Sequence, residues 1–185
     1  MAPKPGLLLN KLKLKGVGGN AYKWIKNFLT KRTFRVQVGT EVSDEENVVS
    51  GIPQGTCLGP LLMLVMNSDI DTIIKNGKVG TLADDTKIKN TLKSNDDNYK
   101  LHEDLALLER WSSENNMKMN DEKFVLLCYN KNPNITNNFT LQSGVPIPER
   151  TGTRDLGIYM SNNAMFSEHI DKRKLYFAWS QSYLC

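Results

Sequence analysis

The sequence predicts an α+β fold in which small antiparallel pairs of strands pack on amphipathic helices. Three observations carry this. Residues 95–116 hold Leu101, Leu105, Leu108 and Trp111 at helical spacing. Thr33 to Gly39 alternates in the manner of a strand. Two further runs, Val79 to Ala83 and Thr86 to Leu92, flank an acidic turn at Asp84-Asp85 and read as a hairpin.

The elements follow in order. Leu7 to Lys15 mixes leucines with lysines and meets Gly16, Gly18 and Gly19, which suits a short helix stopped by glycine. Asn20 is placed to cap a second helix. There Tyr22, Ile25 and Leu29, joined by Trp24 and Phe28, form an apolar stripe expected in the core, with Lys23, Lys26, Lys31 and Arg32 off it. The strand at Thr33–Gly39 is expected to pair with Glu45–Ser50 across an acidic loop. Next comes Ser50-Gly51-Ile52-Pro53-Gln54-Gly55-Thr56-Cys57-Leu58-Gly59-Pro60, with glycine at every fourth position and two prolines, Pro53 among the glycines and Pro60 after the last. Glycine lets a base, sugar or backbone approach closely, and proline stiffens the loop. Gln54 adds an amide donor and acceptor in that setting. Taken alone the stretch is a turn; feeding a helix, it is a candidate ligand cradle. One helix is predicted over Leu61–Ile74, with Leu62, Met66, Ile70 and Ile73 on one face and Asn67, Asp69 and Asp71 opening its polar side.

Beyond the hairpin, Asn95 or Asp96 is predicted to cap the long helix, with His102 beside its buried stripe. Phe124 to Cys128 reads as a short buried strand, residues 130–138 as loop, and Phe139 to Ile147 as a small hairpin. Asp155 to Met160 is predicted as a strand entering a turn at Ser161–Asn163. A final helix is expected from Ala164 to Leu184. His169 lies in it with no evident partner.

Composition narrows the class. The 185 residues are 39% hydrophobic and 24% charged, a globular balance rather than a disordered one. No apolar run approaches the roughly 20 residues of a membrane span, and no secretory leader is expected at the N-terminus. Cys57, Cys128 and Cys185 form neither a zinc spacing nor a disulfide framework. The net charge of +4 is unevenly spread: residues 1–40 hold nine Lys/Arg and no acid, whereas residues 41–85 hold two Lys/Arg and eight acids. A basic arm ahead of an acidic centre suits a polyanion held near a metal; an ordinary basic surface gives the same pattern.

Asp84 and Asp85 are the sharpest feature. Two carboxylates about 4 Å apart repel by roughly 1 kcal/mol in water and nearer 4 at an effective dielectric of about 20. A cation between them relieves that repulsion, and hard oxygen ligands select Mg²⁺ or Mn²⁺. A bare Asp-Asp is ordinarily a solvated turn, so its neighbours decide the matter.

Those neighbours carry a resemblance. Ser50-Gly51-Ile52-Pro53-Gln54-Gly55 with Leu58-Gly59-Pro60-Leu61-Leu62 resembles the Pro-Gln-Gly segment of reverse transcriptases from non-LTR retrotransposons. Leu82-Ala83-Asp84-Asp85-Thr86 resembles their aromatic-Ala-Asp-Asp hairpin, with Leu82 in the aromatic place. Trp111-Ser112, Asn115, Met117, Asn120 and Lys123 are similar to the next family segment. Arg154-Asp155-Leu156-Gly157-Ile158 and Phe166-Ser167-Glu168-His169-Ile170 are similar to the palm–thumb junction, and Asn20 to Arg32 to the helix before Pro-Gln-Gly.

The resemblance implies a polymerase palm, partial over residues 1–160, with a thumb-like helical segment beginning at 161–185. It implies template-directed nucleotidyl transfer by two-metal chemistry, with an RNA template, a DNA primer and deoxynucleoside triphosphates as partners and Mg²⁺ or Mn²⁺ as cofactor. Asp84 and Asp85 become the metal ligands. Pro53, Gln54 and Gly55 become the pocket for template base and nucleotide, and Lys123 the counterpart of a proton donor to pyrophosphate. Leu156 and Gly157 become the turn under the primer end. Lys23, Lys26, Lys31 and Arg32 are the candidate backbone contacts. The family's other catalytic aspartate stands upstream of the helix matched here by Leu8-Leu9-Asn10-Lys11-Leu12, and no acid precedes Glu41. Fingers and most of the thumb are likewise expected to be missing, so the chain is expected to be inactive alone. A nucleic-acid-binding remnant and a functionless relic are the alternatives. The missing strand would leave a sheet edge open to self-association. By analogy with the family the chain is expected inside the cell, in nucleus or cytoplasm.

Overall fold

The structure, a computed structural model, describes residues 3–82, 85–129, 135–136 and 138–171. Two compact units emerge, one from residues 1–91 with 103–119, the other from 92–102 with 120–185. Among the described residues no helix is long and apolar enough to cross a membrane.

The first unit begins with α1 (Pro5–Leu14) and α2 (Gly19–Leu29). Proline at the first helical position of α1 sacrifices only an N–H that would go unused there. The cap of α2 is Gly18 rather than Asn20, which lies inside the helix. Leu8, Leu9 and Leu12 of α1 join Leu29, Leu62 and Met66 in a core against which Tyr22, Ile25 and Phe28 also pack. Trp24 departs from the expected stripe and is 57% exposed.

The expected strand at residues 33–39 is broken in two. β1 (Thr33–Phe34) pairs with β4 (Glu46–Asn47), and β2 (Gln37–Val38) with β3 (Glu41–Val42), all antiparallel. The break falls where the Ser43 hydroxyl accepts from the Val36 N–H at 2.9 Å, displacing a ladder bond. The single helix expected over 61–74 is also two: α3 (Gly59–Asn67) and α4 (Ile70–Ile73). Asp69 sits at the break. Its carboxylate accepts from Lys11 Nζ at 2.7 Å and Trp111 Nε1 at 3.0 Å, ties that helical spacing cannot reveal. Lys11 also donates to the Met66 carbonyl at 2.6 Å, satisfying an orphan acceptor at the end of α3.

β5 (Lys78–Leu82) and β6 (Asp85–Lys89) form the predicted hairpin, but Asp85 opens β6, paired with Leu82, instead of sharing the turn, and the second strand ends at Lys89 rather than Leu92. Ser94 caps a 3₁₀ turn at Asn95–Asp97 that leads into α5 (Asn98–Glu114), a box closed by the Asp97 side chain, so neither Asn95 nor Asp96 takes the cap. Lys100, through its side-chain hydrogen bond, and the Lys93 N–H hold the Asp97 carboxyl down to about 2. Because the folded value lies below the ordinary one, the contact stabilises the cap at pH above about 4 and is lost as pH falls towards 2. An NMR titration of Asp97 is expected to show a midpoint near 2 that climbs in Lys100→Ala; an ordinary midpoint in the parent chain would rule the contact out.

In the second unit Asp121–Lys123 forms a 3₁₀ turn capped by the Asn120 side chain. β7 (Leu126–Leu127) pairs in parallel with β8 (Glu149–Arg150). Between them the expected hairpin is reduced to a Thr140–Pro146 bridge over buried Phe139, Leu141 and Ile147. β9 (Gly152–Asp155) and β10 (Ile158–Ser161) make the last hairpin. The expected single strand at 155–160 is thus folded at Leu156-Gly157, both at positive φ (47° and 83°). Residues 167–171 are helical, and the rest of the expected final helix lies outside the described residues. His169 gains a partner, its Nδ1 accepting from the Tyr159 N–H at 3.1 Å. Every sheet among the described residues has two strands, so the described architecture is α+β, helices with small sheets.

Candidate functional site

The acidic hairpin is built from below. Its register runs from Lys78↔Lys89 to Leu82↔Asp85, leaving a connection of two residues, Ala83 and Asp84, that lie outside the described ones. Val79 and Ile88 face each other across the ladder and pack on the core of Ile70, Ile74, Leu108 and Trp111. Opposite faces alternate along a strand, so seating Val79 turns Lys78, Gly80 and Leu82 outward. Asp85, first residue of β6, is exposed.

The base of the hairpin is held by a residue the sequence reading missed. Asp104 of α5 is 0% exposed. One carboxylate oxygen accepts from the Lys75 and Asn76 N–H groups at 3.0 and 3.1 Å, the other from the Gly77 N–H at 2.7 Å. Asn76 Nδ2 adds a fourth bond at 3.3 Å. Beside it Glu103 receives Lys75 Nζ at 2.8 Å and Asn76 Nδ2 at 3.0 Å, bonds that lower its carboxyl below the usual range. A Cβ on Gly77 would stand 2.8 Å from the Lys89 carbonyl, so only glycine fits where the chain enters β5. The signal was present: Asp104 falls on the buried stripe, three residues after Leu101 and four before Leu108.

The Pro-Gln-Gly segment is a stapled turn. Thr56 Oγ1 donates to the Pro53 carbonyl at 3.0 Å and accepts from the Gly59 N–H at 3.1 Å. Gly55 sits at φ +71° and Gly51 at +92°. Arg32 reaches back to the Gly51 carbonyl at 2.5 Å and to that of Leu29 at 3.1 Å, which ties the loop to the end of α2. Gln54 and Gly55 are left on the exposed outer side. Arg32 therefore has a structural task, while Lys23, Lys26 and Lys31 are exposed.

Lys123 is exposed at the end of its 3₁₀ turn, and Leu156-Gly157 form the tip of the last hairpin; both belong to the second unit. Asp84 lies outside the described residues. Among the described residues no three His, Cys, Asp or Glu side chains converge as a metal would require. The oxygen donors of Asp84 and Asp85 suit Mg²⁺ or Mn²⁺ in kind but fall short in number of the carboxylates from separate strands that two-metal chemistry uses.

The chain belongs to the reverse transcriptase (RNA-dependent DNA polymerase) family, which it matches over residues 8–160. Its relatives are polymerases of mobile elements, as the resemblance to non-LTR retrotransposons implied. It is 30% identical over 177 residues to the RNA-directed DNA polymerase from mobile element jockey of Drosophila melanogaster, covering 90% of this chain and 19% of that protein. It is 26% identical over 151 residues to the probable RNA-directed DNA polymerase from transposon X-element of the same organism, covering 79% and 16%. The chain thus spans less than a fifth of the length of the curated relatives it matches.

Proposed function

We propose that these residues form the central part of a retrotransposon polymerase site, serving template-directed nucleotidyl transfer on an RNA template and DNA primer. The observation that carries this is the ladder ending at Leu82↔Asp85, which brings Asp85 to the exposed end of a hairpin seated on the core. In this reading Asp84 and Asp85 would hold Mg²⁺ or Mn²⁺, which would neutralise charge on the transferring phosphoryl group. By the family resemblance Gln54 and Gly55 would shape the pocket for template base and nucleotide, Lys123 would take the role of proton donor to the pyrophosphate, and Leu156-Gly157 that of the turn supporting the primer end. Residues 161–185 begin the thumb, and nuclear or cytoplasmic residence follows from the lineage. β5 pairs with β6 alone among the described residues, and an open edge there favours self-association.

As a 185-residue polypeptide the chain is expected to bind nucleic acid without extending a primer. Phosphoryl transfer needs two ions about 3.5–4 Å apart held by carboxylates from separate strands, and Asp84 and Asp85 are adjacent residues of one hairpin. The exposed Lys23, Lys26 and Lys31 favour this binding reading over a functionless relic. Primer extension with Mg²⁺ and with Mn²⁺ tests it. No product is expected, and product that vanishes in Asp84→Asn would overturn the expected inactivity. Salt-independent or undetectable binding to a primer–template would favour the relic.

A further inference from the structure

We propose that Trp24, backed by Phe28, is a stacking platform for an unpaired nucleobase, with Lys23, Lys26 and Lys31 receiving the neighbouring phosphates. This rests on the nucleic-acid-binding part of the proposed function and names the form of nucleic acid it takes.

Four apolar neighbours of Trp24 on α2 find the core: Leu29 is buried, and Tyr22, Ile25 and Phe28 pack against the same cluster. Trp24 does not, and it keeps 57% of its surface in water. Its ring lies on that of Phe28 with centroids 5.5 Å apart and planes 6° from parallel. Phe28 is itself set against the core of the first unit, so the indole rests on a fixed floor. A ring already ordered by its own protein loses little freedom when a base is laid on it.

The surroundings choose the occupant. Lys23 and Lys26 are the only charged residues of α2, Lys31 follows its end, and all three are exposed. Among the described residues none of the three forms an ion pair. No acid occurs in residues 1–40. An exposed aromatic face on a helix whose only charges are ammonium groups is complementary to a nucleic-acid strand, whose bases stack and whose phosphates pair. Bases inside a duplex are already stacked on both faces, so the ligand is a single strand or an overhang.

The test is fluorescence anisotropy of the 185-residue chain with a labelled oligothymidylate and with an abasic oligonucleotide of equal phosphate number, each at two salt concentrations. Trp24→Leu is expected to weaken oligothymidylate binding about tenfold while leaving abasic binding and both salt slopes unchanged, with Trp24→Phe in between. The triple variant Lys23→Gln, Lys26→Gln, Lys31→Gln is expected to weaken both ligands and flatten both salt slopes by about 2. If Trp24→Leu changes nothing, or weakens both ligands equally, the platform is refuted while lysine-dependent binding stands. If the parent chain binds neither oligonucleotide, platform and basic face fall together.

Discussion

Asp104→Ala is expected to remove more than about 3 kcal/mol of stability, a large part of what a domain of this size possesses. The carboxylate is wholly buried and accepts three main-chain N–H groups and one side-chain amide. Hydrogen bonds to a charged group contribute about 1.5–3 kcal/mol each, and Asp104→Ala removes the shared acceptor of the Lys75, Asn76 and Gly77 N–H groups. Asp104→Asn should cost roughly half as much, since one oxygen is kept and an amide then faces the Gly77 N–H. Urea denaturation followed by circular dichroism measures both. Amide exchange at Gly77 and Lys78 should quicken in either variant, because the anchored chain is the entry to β5. Stability within about 1 kcal/mol of the parent in Asp104→Ala would show that water replaces the carboxylate and that the hairpin base holds without it.

Asp104 also marks the boundary of what was legible in the chain. Helical spacing identified Leu101, Leu105, Leu108 and Trp111, and all four are buried. The same spacing places Asp104 among them, but an apolar pattern says nothing about which main-chain donors a buried acid will meet. Those donors lie 27 to 29 residues away in sequence. Asp69 behaves alike: partners on α1 and α5 decide that the helix breaks there, so an uninterrupted apolar stripe from Leu62 to Ile73 misled. The hairpin around Asp84-Asp85 was readable because its information is local, two alternating runs and a short polar turn. The turn at Leu156-Gly157 was not readable from alternation, since a leucine in the left-handed region gives no compositional sign of it. Only the resemblance pointed to a turn there. Trp24 was misplaced for a geometric reason. It lies about 140° round the helix from Leu29, too far to share the buried arc, although it is apolar and close in sequence.

Gly59→Ala should be the next most damaging change, at about 1–3 kcal/mol, and its effect should concentrate on the Pro-Gln-Gly turn. A Cβ at this position would lie 2.9 Å from the Pro53 carbonyl oxygen and 3.3 Å from Thr56 Oγ1. The nearer atom belongs to the backbone, so relief requires the loop to move rather than a side chain to rotate. Moving it stretches both bonds of the Thr56 staple and shifts the exposed Gln54 and Gly55 relative to α3. Gly80→Ala is the matched control, because a Cβ there meets nothing within 4 Å. In denaturant titrations Gly59→Ala should fall below the parent while Gly80→Ala stays close to it. In amide-exchange measurements the loss of protection should appear at the Gly59 N–H, the donor to Thr56 Oγ1. Thr56→Val, which keeps the shape and the Thr56 carbonyl that also accepts from the Gly59 N–H at 3.2 Å but removes the hydroxyl, should reproduce part of the exchange change with a smaller stability loss of about 1 kcal/mol. If Thr56→Val leaves protection at Gly59 untouched, the staple does not hold the turn, and the glycine would then matter for space alone.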